Sequence, residues 1–289
     1  MWLMLRVAIL CLALTIPALS QGVAARNVTA IRFHSPSLGQ ERSVSVLLPT
    51  GYDTSTRRYP VLYLLHGLGD DHTIWALRTN LSAYAARHAI LIVMPDASQS
   101  WYVNSAVDPQ ARFEDFIVKD LIDYVAGHYR TLPLRRSRAV AGLSMGGYGA
   151  LFLGLKYPAT FAAIGAFSGA IGIAHEPPIA NPGADAERLR RRQAIAPLFG
   201  PAGSLQRREH DPFLLLDKVP PADMPMLYLA CGGQDFLIGD NRAFVDLLAT
   251  RKIPYEYREI SPRVHSWDFW DDQIRIFLGL LRQQPGFRP

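Results

Sequence analysis

Two continuous apolar runs, Pro60-Val61-Leu62-Tyr63-Leu64-Leu65 and Ile90-Leu91-Ile92-Val93-Met94, constrain this chain most. Neither alternates between apolar and polar residues, so as strands both would be apolar on both faces. A strand of that kind needs cover above and below, and the usual solution is a parallel sheet with helices on each side. The segments around them fit that layout. Leu81 to His88 reads as a helix between the two runs. Phe113 to Tyr129 places Phe116, Ile117, Leu121, Val125 and Tyr129 at helical spacing. The second half continues with strands at Arg138 to Ala141, Phe161 to Phe167, Met226 to Ala230 and Tyr255 to Ile260. Helices over Met145 to Lys156, Asn241 to Thr250 and Trp267 to Arg282 alternate with them. Only the start looks antiparallel, with strands at Val28 to Phe33 and Ser43 to Leu48 joined by a Ser/Pro/Gly turn. The expected class is α/β: a mostly parallel central sheet flanked by helices.

Residues 171–223 break this rhythm. They are rich in Pro, Gly and Arg, as expected of a lid or binding loop over one sheet edge. Short helices are expected there at Ala184 to Ala196 and Pro212 to Leu216. The arginines at 188, 190, 191, 192, 207 and 208 supply much of the net charge of +5 and read as a solvated surface. No basic stripe interleaved with aromatics accompanies them, which argues against a nucleic-acid partner.

Gly142-Leu143-Ser144-Met145-Gly146 falls between a strand and a helix. A sharp strand-to-helix turn forces its serine into a strained conformation and exposes the hydroxyl. The helix N-terminus then offers backbone N–H groups to a developing oxyanion. A serine hydroxyl is a poor nucleophile near neutral pH and needs a base oriented by an acid. In this architecture the chain order is Ser, Asp or Glu, then His. Of the histidines after Ser144, His175 and His210 lie in the excursion, whereas His265 follows the last strand and precedes the last helix. Asp235 follows a strand that ends in Gly232-Gly233-Gln234; Asp240 is its nearest rival, and Asp268 is too close to the base in sequence. The oxyanion donors are expected to be the N–H of Met145 and that of Leu68 in His66-Gly67-Leu68-Gly69. Trp101, Tyr102, Tyr148 and Trp267 are candidates for an aromatic pocket lining, with ordinary core packing as the other reading.

The N-terminus carries Arg6, an apolar run over Val7 to Ile16, then Pro17 and small residues. This is the layout of a secretory signal peptide, with cleavage after Ser20 or after Ala25. The expected organisation is a signal peptide at residues 1–25 and one catalytic domain at 26–289. A secreted or periplasmic location follows, with no stable membrane insertion after cleavage. Removal of Cys11 would leave Cys231 alone, so no intramolecular disulfide is expected.

Together, Val61 to Gly67, Met94-Pro95-Asp96 with Ser100-Trp101-Tyr102, Gly142 to Leu151, Asp211-Pro212-Phe213 and His265-Ser266-Trp267 resemble the Putative esterase (esterase D-like) family. That family includes tributyrin, feruloyl and acetylxylan esterases, S-formylglutathione hydrolases and mycolyltransferases. The resemblance runs from about Ser43 to Leu281. It implies an α/β-hydrolase fold and hydrolysis of carboxylic esters without metal or organic cofactor. By position it implies Ser144, Asp235 and His265 as a triad, with Leu68 and Met145 as oxyanion donors. Leu68-Gly69-Asp70 departs from the Leu-Thr-Cys associated with S-formylglutathione hydrolase, as does the secretory signal. The expected activity is a secreted carboxylesterase for small-molecule or polysaccharide-linked esters of acetyl, butyryl or feruloyl type. An acyltransferase using a sugar or other alcohol is the alternative, and a catalytically silent binding protein the third reading.

Overall fold

The computed structural model describes residues 28–176, 190 and 193–288. The signal segment expected at 1–25 and most of the helix expected at Ala184 to Ala196 lie outside the described residues.

Eight strands form one sheet: β1 (Val28–Ser35), β2 (Gln40–Leu47), β3 (Val61–Leu65), β4 (Leu91–Pro95), β5 (Arg138–Leu143), β6 (Ala163–Phe167), β7 (Met226–Gly232) and β8 (Glu256–Ile260). Their order is β1-β2-β4-β3-β5-β6-β7-β8. β1 and β2 pair antiparallel, β2 meets β4 antiparallel, and every pairing from β4 through β8 is parallel. The two apolar runs of the sequence are therefore neighbours, β3 and β4, and every residue of both is buried. This is the mostly parallel α/β sheet that the continuous apolar runs imply, in the class that the family resemblance implies.

Two apolar layers cover the sheet. On one face, residues 113–128 form a helix that passes through a π-helical stretch at Phe116–Leu121. The Met145–Lys156 helix packs beside it, with only Lys156 less than fully buried. Phe116, Ile117, Leu151 and Phe152 join Phe244 and Leu248 of the Ile238–Thr250 helix in this layer. On the other face, the amphipathic Trp267–Gln283 helix turns Phe269, Ile274, Phe277, Leu278 and Leu281 inward, against Leu62, Leu64 and Tyr228. A short helix at Ile74–Arg78, which the sequence pattern did not signal, adds Trp75 to this layer. The indole of Trp75 donates to Leu65 O at 3.0 Å and so ties that layer to the end of β3.

The described part of the excursion carries short helices at Ala196–Phe199, Leu205–Arg208 and Pro212–Leu215. Its anchors are polar and buried. Tyr148 donates to His210 O at 2.7 Å, and Glu114 lies 3.6 Å from His210 Nε2 and 2.7 Å from Lys156 Nζ. Arg207, read from the sequence as one of a solvated group, is fully buried with its Nε 3.2 Å from Glu176 Oε1. The ion pair is what makes burying that guanidinium tolerable. Among the described residues no helix is long and apolar enough to cross a membrane.

Parallel strands bring their C-terminal ends to one edge, where α/β proteins build their sites. Here β3 delivers His66 and Gly67, β5 Ser144, β6 Ser168, β7 Asp235 and β8 His265.

Candidate active site

Ser144 sits between β5 and the following helix at φ 52°, ψ −117°. A non-glycine residue held there costs on the order of 1–3 kcal/mol and persists only if its surroundings enforce it. They do so through its own backbone: Ser144 N donates to Phe167 O at 3.0 Å, and Ser144 O accepts from Tyr148 N and Ala170 N, each at 3.0 Å. The glycines on either side serve close approach. A Cβ on Gly142 would lie 2.5 Å from Gly146 O, and one on Gly146 would lie 2.5 Å from Leu65 O. The turn is thus wedged between the ends of β3 and β6.

His265 Nε2 lies 3.1 Å from Ser144 Oγ, and its Nδ1 lies 2.9 Å from Asp235 Oδ2. A carboxylate on Nδ1 selects the tautomer that carries its proton there and leaves Nε2 free to accept from the serine. Asp235 is nearly fully buried. Burial alone would raise its pKa, but the hydrogen bond from His265 and that from Leu237 N–H to Oδ1, at 2.9 Å, outweigh it and hold the carboxyl below its ordinary value. Ser144, His265 and Asp235, all singled out by sequence, therefore meet in one hydrogen-bonded chain. Of the rival groups, Asp268 binds Arg263 and Ser266 at the surface. His175 pairs with Asp211 at 2.8 Å and stacks on Phe213.

The His66-Gly67 turn stands beside the serine: a Cβ on Gly67 would lie 3.7 Å from Ser144 Cβ. Buried His66 has its Nδ1 2.8 Å from Gly67 O, and its Nε2 accepts from Ala97 N–H at 3.0 Å. The second bond assigns the ring proton to Nδ1, so His66 donates to Gly67 O. Burial lowers its pKa and keeps it neutral. Gly67 O and Leu68 N belong to one trans peptide, whose C=O and N–H point in opposite directions. By holding the carbonyl, His66 fixes the direction of the Leu68 N–H. Met145 N–H opens a helix and is among the donors with no acceptor inside it.

The aromatic candidates divide. Tyr102 and Tyr148 are fully buried, with hydroxyls donating to His66 O and His210 O, which is the core-packing reading of these two rings. Trp101 is half-buried at φ 56° and meets Tyr148 and Phe199 edge-on. Trp267 packs on Trp75 and Trp270. The aromatic rings on the base are two that sequence reasoning missed. Trp270 meets the His265 ring edge-on at 4.8 Å, and Phe236 lies 4.7 Å from it. Phe236 could have been noticed as a large apolar residue next to the acid in a glycine-rich turn. A groove of about 440 Å³ between Met224, Tyr255 and Leu280 opens at the opposite edge, where β7 and β8 begin.

The family model described as Putative esterase matches residues 35–278. The chain belongs to that family. An acetyl esterase from Caldicellulosiruptor saccharolyticus is 28% identical over 262 residues, covering 86% of this chain and 95% of the relative. Among solved structures, FphF, a fluorophosphonate-binding serine hydrolase of Staphylococcus aureus, superimposes with a TM-score of 0.74. It is 29% identical, over 88% of this chain and 97% of that one. A ferulic acid esterase superimposes with a TM-score of 0.72 at 25% identity, over 88% and 97% of the two chains. The protein is thus a serine hydrolase acting on carboxylic esters.

Proposed function

We propose that Ser144, His265 and Asp235 are the catalytic triad of a carboxylesterase for short-chain or aromatic acyl esters. The observation that carries this reading is the unbroken chain Asp235–His265–Ser144 ending on a strained, partly exposed serine. Ser144 Oγ attacks the ester carbonyl while His265 Nε2 takes its proton. The Leu68 and Met145 N–H groups stabilise the oxyanion. His265 then gives the proton to the departing alkoxide oxygen, leaving an acyl-enzyme. Water, deprotonated by the same imidazole, attacks that acyl carbon; the acid departs and Ser144 regains its proton. Asp235 keeps the imidazole in the required tautomer and stabilises its charged form.

The relatives named acetyl esterase and ferulic acid esterase support acetyl and feruloyl groups as the acyl part of the substrate. The N-terminal layout supports secretion or export to the periplasm, and an N-terminus beginning near residue 21 or 26 in the exported protein would test that. For the reaction itself, Ser144→Ala is expected to lower kcat on p-nitrophenyl butyrate on the order of a millionfold with an unchanged circular dichroism spectrum. Retained turnover would overturn the assignment. An ester panel spanning acetyl, butyryl, octanoyl and feruloyl groups orders the acyl preference.

A further inference from the structure

The imidazole of His265 lies between two aromatic rings of different kinds. Trp270 is buried and meets it edge-on at 4.8 Å, while Phe236 is 75% exposed and tilted by 49° at 4.7 Å. A single exposed apolar side chain means little on its own. This one extends from a turn held by hydrogen bonds and lies against the base. Asp235 N donates to Gly232 O at 3.1 Å, Leu237 N to Asp235 Oδ1 at 2.9 Å, and Ile238 N to Asp235 O at 3.1 Å. The turn that fixes the acid therefore also fixes the main chain from which the phenyl group reaches the base, and the ring rests 4.7 Å from the imidazole.

The chemistry of the base states what comes to that ring. In ester cleavage Nε2 must reach the alkoxide oxygen within about 3 Å to protonate it. The carbon atoms beyond that oxygen then lie within range of a ring packed on the same imidazole. The acyl group is directed elsewhere, because its carbonyl oxygen must point at the Leu68 and Met145 N–H groups.

We propose that the outward face of Phe236 is the platform for the departing alcohol, so that this esterase prefers esters whose alcohol is aromatic or extended and apolar. The proposal rests on His265 acting as the base. Phe236 sets specificity on the leaving-group side and takes no proton. The same ring meets any alcohol that approaches the acyl-enzyme by the reverse route.

The test compares wild type with Phe236→Ala and Phe236→Tyr on butyrate esters of methanol, 1-butanol and benzyl alcohol, and on benzyl acetate. For Phe236→Ala, kcat/KM should fall on the order of tenfold more for benzyl than for methyl butyrate, with 1-butyl butyrate between them. Phe236→Tyr should restore the benzyl ester, and benzyl acetate should lose as much as benzyl butyrate. A loss equal for all three alcohols would overturn the proposal, because the ring would then only support the base. A loss that follows acyl length would overturn it too. Ser144→Ala on the same esters separates the two failures: its retained activity would sink the triad whatever the pattern at Phe236.

Discussion

Replacing Gly146 by alanine probes the elbow through distances. The added methyl would lie 2.5 Å from Leu65 O, 2.6 Å from His66 O and 2.7 Å from Leu65 C. Ordinary carbon–oxygen contact begins more than half an ångström farther out, and all three atoms are backbone. They cannot swing aside as a side chain would. The helix start must lift away from the end of β3, whose Leu65 carbonyl is also held by Trp75. Overpacking a tight site costs typically 1–3 kcal/mol, and immovable neighbours put this case at about 3 kcal/mol. For a domain of this size that corresponds to roughly 6–12 °C in Tm. Gly279, inside the Trp267–Gln283 helix, is the control, because a Cβ there meets nothing within 4 Å. Gly279→Ala should stabilise by about 0.5–1 kcal/mol through helix propensity. Thermal unfolding of the two variants should therefore move in opposite directions, and Gly146→Ala should also lose turnover because Met145 N–H shifts with the helix start. If Gly146→Ala melted within a degree of wild type, the close packing of elbow on strand would be refuted.

Two further perturbations follow from the site and its cap. His66→Ala frees the Gly67–Leu68 peptide, so kcat should fall roughly tenfold to a hundredfold with KM little changed; a loss of stability with kcat intact would mean that His66 only packs the turn. Burial would raise the pKa of Glu114, but His210, Lys156 and Tyr157 outweigh it and hold it at about 2 against an ordinary 4.5. Such a depressed carboxylate contributes stability that is fully present above pH 4.5 and is lost as pH falls toward 2, about 3 kcal/mol in all. Glu114→Gln should flatten the fall in Tm between pH 6 and pH 3, and an unaltered slope would show that the carboxylate does not anchor the cap.

The parts legible in sequence are those whose cause is local. Continuous apolar runs become β3 and β4 because a strand buried on both faces must be apolar throughout. Ser144 is legible because the strand–turn–helix needs glycines on both sides. Asp235 and His265 are legible because parallel strands bring their C-terminal ends to one edge. What escaped depends on side-chain direction and on partners far along the chain. Nothing near Tyr102 or Tyr148 in sequence tells that their hydroxyls turn inward to His66 O and His210 O. Arg207 looks solvated until Glu176 is placed against it. Phe236 and Trp270 become neighbours of His265 only once the β7 turn, the β8 turn and the last helix converge.

Covalent labelling with a fluorophosphonate reads out directly whether Ser144 is the nucleophile. Intact and peptide mass spectrometry should find one adduct per chain, on the peptide containing Gly142 to Gly146, at Ser144. Ser144→Ala should take no label, and His265→Ala should label far more slowly. An adduct at another residue, or a wild-type protein that folds normally and takes no label, would rule out Ser144 as the nucleophile.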